Sequence, residues 1–192
     1  AAVCLGDFLD DKNTDEFPSA KQVIQGISSI QLQSQGTLAG ELLRRPNCWY
    51  FREGHGLLAD SGRMVNEGDN RYHAILGNRG PARFVNASRL APSLITLAAQ
   101  IRIIGPGKDD EKILDLASLY RTPAADSERE NVLQPGQLVT HVIIPAHGNR
   151  LSAAYEVRQG AGPDQPLAAA AVSMDVSSGR VQNASIVLGQ VA

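Results

Sequence analysis

The side chains in this sequence that could bind a metal ion lie between residues 48 and 73. Cys48, His55, Asp69 and His73 are all potential ligands. Structural zinc sites pair their ligands at short, regular spacings, and Cys48 and His55 with a distant His73 do not follow such a pattern. We therefore predict no metal site in this stretch.

The remaining histidines do not form a catalytic group. His141 and His147 lie in or just after a predicted strand without a partnered Ser, Cys or carboxylate motif, which favours surface or hydrogen-bonded structural histidines. The sequence contains no G-x-S-x-G, H-E-x-x-H or Walker pattern. We predict no catalytic residue in this chain.

A short glycine-containing segment at residues 35–40 could bind a ligand through its backbone. Its residues are small, so few Cβ atoms would keep a ligand away from the main chain. The alternative is a plain turn between two elements. Spacing alone does not decide between the two.

Seven arginines alternate with aromatic residues between residues 44 and 83, a combination that can stack on nucleotides. The interspersed acidic residues favour another interpretation, in which guanidinium groups pack on aromatic faces and cap carbonyls within one loop. The net charge of −2 over 192 residues also argues against attraction to nucleic acid or to an anionic membrane. We expect neither as a partner.

Composition and cysteine content indicate a soluble protein of a reducing compartment, with the cytoplasm as the expected location. Cys4 and Cys48 are too few for a disulfide framework. No apolar run reaches the roughly 18 residues that a membrane-spanning helix needs.

The elements that position these residues can be predicted from apolar spacing. Helices are expected at about residues 20–29, with Ser19 as N-cap, and at 88–99, with Ser88 as N-cap. The segment between them, from 43 to 83, shows no sustained period and is expected to be ordered with little regular structure.

The second half of the sequence has the pattern of strands. Residues 101–104 and 112–116 predict a hairpin, and the polar segment 120–131 a boundary between subdomains. Further strands are expected at 137–144, 153–158, 168–176 and 181–188, with a hairpin turn at 177–180. The predicted fold class is therefore α+β.

Three motifs resemble one family of flavoproteins. Residues 37–42, Thr-Leu-Ala-Gly-Glu-Leu, resemble its Thr-Val-Gly-Gly-Asn-Leu flavin loop. Residues 87–92, Ala-Ser-Arg-Leu-Ala-Pro, resemble its Pro-Ser-Asp-Leu-Ala-Pro helix start, and residues 133–140, Leu-Gln-Pro-Gly-Gln-Leu-Val-Thr, its Leu-Arg-Pro-Gly-Glu-Leu-Ile-Thr segment. In order and spacing they are similar to the FAD-binding subunit of molybdenum hydroxylases, the medium-subunit family of xanthine dehydrogenase and carbon monoxide dehydrogenase.

The insert at about residues 43–85 resembles a branch related to periplasmic-type aldehyde oxidoreductases. Some members of that branch hold an iron–sulfur cluster in the insert. Cys48 is its only cysteine in this sequence, so a four-cysteine cluster cannot form.

The resemblance implies a fold and a division into domains. Residues 1–125 would be the second half of an FAD-binding domain, of the vanillyl-alcohol-oxidase/PCMH-like type, with the insert. Residues 126–192 would be a truncated domain with a small antiparallel sheet, of the CO-dehydrogenase flavoprotein C-terminal type.

The resemblance also implies a cofactor and partners. FAD would receive electrons from [2Fe–2S] centres that drain a molybdopterin-binding subunit, and the chain would orient the flavin and tune its potential. Thr37 to Glu41 would line the cofactor through their backbone and Leu133 would pack near the ring, so the implied cofactor-binding residues are Thr37, Leu38, Ala39, Gly40, Glu41 and Leu133.

The sequence departs from the family pattern at three charged positions. Glu41 replaces an Asn and is expected to place a carboxylate near the cofactor's pyrophosphate. Arg89 replaces an Asp that supports the flavin, and Glu156 occupies a position often held by Lys. The family's Ala-Gly-Gly-Thr-Asp-Leu segment has no counterpart. These departures leave open a second hypothesis, a non-catalytic relative that has lost flavin binding and serves as a scaffold or partner-binding module.

Overall fold

The computed structural model describes residues 2–107, 109–146, 148–162 and 164–192, so His147 lies outside the described residues. The helices are α1 (Leu5–Asp10), α2 (Pro18–Gln25), α3 (Ile30–Gln35), α4 (Leu38–Leu42), α5 (Trp49–Arg52), α6 (Arg63–Glu67) and α7 (Ala91–Thr96), with 3-10 helices at Lys12–Thr14 and Leu116–Leu119. The strands are β1 (Gln100–Ile104), β2 (Glu111–Asp115), β3 (Leu138–Ile143), β4 (Leu151–Val157), β5 (Ala168–Ser177) and β6 (Arg180–Gly189).

The strands form two antiparallel sheets of three strands, in the orders β2-β1-β3 and β4-β5-β6. In the first sheet Ile101 of β1 lies opposite Leu114 on one side and Val142 on the other. Helices beside two antiparallel sheets confirm the α+β class, and the hairpin of β1 and β2 is confirmed.

The main core lies between the helices and the first sheet. Ile24 of α2, Leu94 of α7 and Ile101 of β1 are completely buried in it. Leu38 and Leu42 of α4 join the same cluster, which fixes the start of α4 at the edge of the core.

The second sheet packs one face on α2 and α7 and leaves the other face exposed. Ser173 of β5 is buried, and its hydroxyl donates to the carbonyl of Thr96 over 2.6 Å. On the opposite face Tyr155 and Ile186 are 75% and 69% exposed. The predicted hairpin turn is confirmed, with Gly179 at φ 72°.

The insert has its own small core of Cys48, Leu57, Leu58, Ala82 and Phe84. Only the short helices α5 and α6 interrupt its irregular backbone, as expected. The guanidinium of Arg45 lies 4.9 Å from the ring centre of Phe51, so packing of arginine on aromatic faces is confirmed here.

Two helix starts were predicted in the wrong place. Helix α2 begins at Pro18, so Ser19 is not its N-cap. The Ser19 hydroxyl instead contacts the hydroxyl of Ser93 in α7 at 2.7 Å, because α2 and α7 pack together at this buried position. The Ser88 hydroxyl accepts from the Ala91 amide as a cap does, but α7 itself begins at Ala91.

The polar segment 120–131 folds back on itself. Tyr120 pairs with Asn131 in an isolated antiparallel bridge, and the Val132 amide donates to the carbonyl of Leu119. Strand β3, which follows the predicted boundary at residue 125, pairs with β1. The division of the chain at that boundary stays a prediction. Within the described ranges no helix has the length and apolar character needed to cross a membrane.

Candidate functional site

The residues of the expected flavin loop form the start of α4. The Thr37 hydroxyl accepts from the Gly40 amide over 3.0 Å and so caps the helix. The Leu38 amide donates to the carbonyl of Val3, which ties the loop to the strand-like segment before α1. Gly40 is exposed, whereas Thr37 and Ala39 are half-buried. The segment is thus a capped helix start rather than the flexible turn that its small residues predict.

The Glu41 carboxylate faces the protein interior and is only 6% exposed. One of its oxygens accepts from the Arg89 amide over 2.9 Å, and the other from the Arg44 guanidinium over 3.3 Å. Burial raises the pKa of Glu41, while the nearby Arg44 charge partly offsets that shift. The charge expected at the cofactor's pyrophosphate is therefore turned inward and paired.

Arg89 and Glu156 form a buried ion pair with side chains 1% and 6% exposed. The Arg89 guanidinium donates from Nε and Nη2 to the two carboxylate oxygens, a bidentate arrangement with strong geometric specificity. Arg158 donates to the same carboxylate and to the carbonyl of Gly26. The two positions that depart from the family's Asp and Lys are thus partners of opposite charge, with the signs exchanged.

Two features of this site were missed in the sequence. Arg44 lies three residues after Glu41, just beyond the end of α4, and this spacing, which brings side chains together on a helix, was an available signal. The contact of Arg89 with Glu156 joins α7 to β4 across 67 residues, for which periodicity within an element gives no signal. The signal that the sequence did offer was the reversal of charge at both position 89 and position 156.

Leu133 is distant from the loop in sequence, but it packs against the same hydrophobic core. It is half-buried against the main cluster, to which Leu38 and Leu42 also belong. Its amide donates to the Asn131 side chain over 3.2 Å, which fixes the entry to β3. Tyr120 joins this region to α4, because its hydroxyl donates to the carbonyl of Leu42 over 3.0 Å, and burial raises the pKa of Tyr120.

The candidate metal ligands do not converge. The sulfur of Cys48 lies 3.1 Å from Nε2 of buried His73, whose pKa is lowered by burial. His55 is exposed, and Asp69 pairs with Arg71 at the surface. Among the described residues, no three or more His, Cys, Asp or Glu side chains are grouped so that they could hold a metal ion.

Relatives with known sequences point to flavoproteins. Over 122 residues the chain is 32% identical to the aldehyde oxidoreductase FAD-binding subunit PaoB of Escherichia coli strain K12, a match that covers 62% of this chain and 38% of PaoB.

Solved structures share the fold. The chain is similar to a chain of reconstituted CO dehydrogenase from Oligotropha carboxidovorans, with a TM-score of 0.65 and 17% identity over 97% of this chain and 50% of that one. It is also similar to a chain of quinoline 2-oxidoreductase from Pseudomonas putida 86, with a TM-score of 0.62 and 17% identity over 98% of this chain and 50% of that one. The chain thus spans about half the length of these solved relatives.

The match to a family sequence model covers more of this chain than the alignment with PaoB does. The sequence model of the family described as the FAD binding domain in molybdopterin dehydrogenase matches residues 1–147, most of this chain. This match assigns the family: the chain belongs to the FAD-binding domains of molybdopterin dehydrogenases.

Proposed function

We propose that this chain is part of the FAD-binding electron-transfer component of a molybdenum hydroxylase. The observation that carries the proposal is the capped start of α4, where the exposed Gly40 has no side chain to keep a ligand away and the Glu41 charge is paired inside. Bound FAD would supply the capacity to accept and pass on electrons.

The residues of the loop fit the pyrophosphate side of FAD. The Leu38 and Gly40 amides are already hydrogen-bonded within the chain, so the loop's contribution is a close approach at the exposed Gly40, which adds no Cβ. Arg44 is 40% exposed beside the loop and offers a cation. We propose that Thr37, Leu38, Ala39, Gly40 and Glu41 hold the cofactor through their backbone, with Leu133 packed towards the ring.

The partners follow from the family. PaoB is by its name the FAD-binding subunit of an aldehyde oxidoreductase. We propose that this chain likewise works with a molybdopterin-binding subunit and a [2Fe–2S] subunit, and the substrate would then be bound by the molybdopterin subunit. Co-purification of the tagged protein from its own cells tests this, and recovery without molybdenum or iron would contradict it.

We also propose that the protein works in the cytoplasm. Cys4 and Cys48 are both free thiols, as is usual in a reducing compartment. Fractionation of cells that produce the protein tests the location, and recovery from a fraction outside the cytoplasm would contradict it.

A charge placed at Gly40 tests the cofactor proposal. Asp in the first turn of a helix is favourable, but a Cβ at Gly40 would lie 3.0 Å from the capping Thr37 hydroxyl, so Gly40→Ala, which adds the Cβ without the charge, is measured beside Gly40→Asp. A carboxylate beside the pyrophosphate should repel it and weaken FAD binding by roughly tenfold or more. The measurement is quenching of flavin fluorescence during titration of the protein into FAD.

The matched control is Gly160→Asp. Gly160 is exposed, and a Cβ there would meet nothing within 4 Å. This variant adds the same charge away from α4 and should bind FAD as the unchanged protein does. Equal affinities of the two variants would overturn the assignment of the loop.

A further inference from the structure

One turn of the insert holds two neighbouring apolar side chains out of the protein. Ile75 is 89% exposed and Leu76 is 55% exposed. Single apolar residues on a surface are ordinary, whereas adjacent ones beside a cation can form the centre of a protein interface. Arg79 is exposed in the same turn. We call the stretch from Ile75 to Arg79 the insert tip.

Hydrogen bonds at its base hold the insert tip in one conformation. The Ala74 amide donates to the Arg83 carbonyl over 2.8 Å, and Nδ2 of Asn78 donates to the Ala74 carbonyl over 2.7 Å. The Arg83 guanidinium donates in turn to the Asn78 carbonyl over 2.9 Å. Phe84, the next residue, is buried in the small core of the insert. The insert tip is therefore preorganised, which reduces the entropy lost when a partner binds.

The insert is positively charged although the whole chain is not. Residues 43–85 contain seven arginines, no lysine and four acidic residues, a net charge of +3, whereas the whole chain has −2. Ion pairs with carboxylates neutralise four of the arginines, namely Arg44, Arg45, Arg63 and Arg71. Within the described ranges no carboxylate pairs with Arg52 or Arg79, and both are exposed. A surface of this charge favours an acidic partner.

The aromatic residues of the insert favour a protein partner over nucleic acid. Trp49 is half-buried, and its ring centre lies 5.3 Å from that of His73. The guanidinium of Arg45 lies over the Phe51 ring. Tyr72 is exposed, but nucleic-acid sites stack successive bases on several exposed rings. The insert tip itself offers aliphatic side chains and a cation, which suit an acidic protein surface with an apolar recess.

We propose that the insert tip is the docking surface for the [2Fe–2S] subunit, with Ile75 and Leu76 in an apolar recess of that subunit and Arg79 beside its carboxylates. This inference rests on the proposed function, in which FAD receives electrons from [2Fe–2S] centres. The subunit that holds these centres must then lie beside the flavin. The insert follows α4 directly, so it begins at the end of the helix that carries the flavin loop.

The iron content of the purified protein measures this docking. The tagged protein is purified from its own cells, and iron and flavin per chain are measured in the unchanged protein and in Ile75→Asp combined with Arg79→Glu. This variant should contain roughly fivefold less iron or lower still, because it places two carboxylates against an acidic surface. The flavin content should not change. Both positions are exposed, so the variant should fold normally, which circular dichroism checks.

The matched control is Lys112→Glu combined with Ile113→Asp. It makes the same changes at two exposed positions of β2, outside the insert. The control should keep the iron content of the unchanged protein. An unchanged iron content in the folded variant of the insert tip would overturn the inference, and so would an equal loss of iron from the control. Iron missing from the unchanged protein would instead overturn the proposed partners, and this inference with them.

Discussion

Arg89 is almost fully buried, so its guanidinium depends on Glu156 for a counter-ion. Removing one partner of a buried ion pair leaves an uncompensated charge, which costs about 3–5 kcal/mol. Glu156→Gln should therefore lower the free energy of unfolding by that amount in urea denaturation.

The control for this prediction is a surface pair. Asp69→Asn breaks the contact with exposed Arg71 and should leave the free energy of unfolding nearly unchanged, since exposed pairs contribute little. Equal losses in Glu156→Gln and Asp69→Asn would contradict the account of the pair.

Glu41 gives a pH dependence whose sign follows from its environment. Burial raises its pKa in the folded protein above the ordinary value of 4.5. The folded state then binds the proton more tightly than the unfolded state, so the contribution of Glu41 to stability is full below 4.5 and is lost as pH rises through the folded pKa.

Glu41→Gln removes this titration and isolates the contribution. The free energy of unfolding of the unchanged protein minus that of the variant should fall as pH rises above 4.5. Urea denaturation of both proteins at several values from pH 4 to pH 7 measures this difference. A difference that rises over this range would mean that the Arg44 charge outweighs burial.

The hairpin between β5 and β6 depends on a turn of two residues with positive φ. Ser178 and Gly179 have φ values of 51° and 72°, the conformation of a type I′ turn. Gly179→Ala should cost about 1 kcal/mol, although a Cβ there meets nothing within 4 Å, because the left-handed backbone disfavours it. Ser178→Asn should stabilise the hairpin slightly.

Thermal unfolding of both hairpin variants checks this prediction. Gly160→Ala is the matched control, since Gly160 lacks a positive φ and equally has open space around it. A loss in Gly160→Ala as large as that in Gly179→Ala would show that the turn conformation is not the cause.

The elements were predictable where their signals are local. Strands β3 to β6 follow from alternation and apolar runs, and the Ser178 and Gly179 turn from its residue types. The start of α4 was missed as a helix because Ala39 and Gly40 give no apolar period and the helix has only five residues. The motif at residues 37–42 indicated the site, whereas its geometry depends on the core contacts of Leu38 and Leu42.

At the scale of the whole molecule, the ion pair fastens the chain before α7 to the second sheet. Arg89 precedes α7, which packs on β5 and β6, and Glu156 lies in β4 of the same sheet. Arg158 extends the link to the end of α2 at Gly26. The three charged departures from the family pattern therefore form paired contacts in the folded chain, and they do not by themselves favour loss of the cofactor.

The most direct test of flavin binding is the visible absorption spectrum of the purified protein after incubation with FAD and desalting. We predict a retained band near ~450 nm, the flavin absorption, with an amount of flavin that approaches one per chain. A colourless protein after the same treatment would contradict the central claim and would favour the scaffold hypothesis.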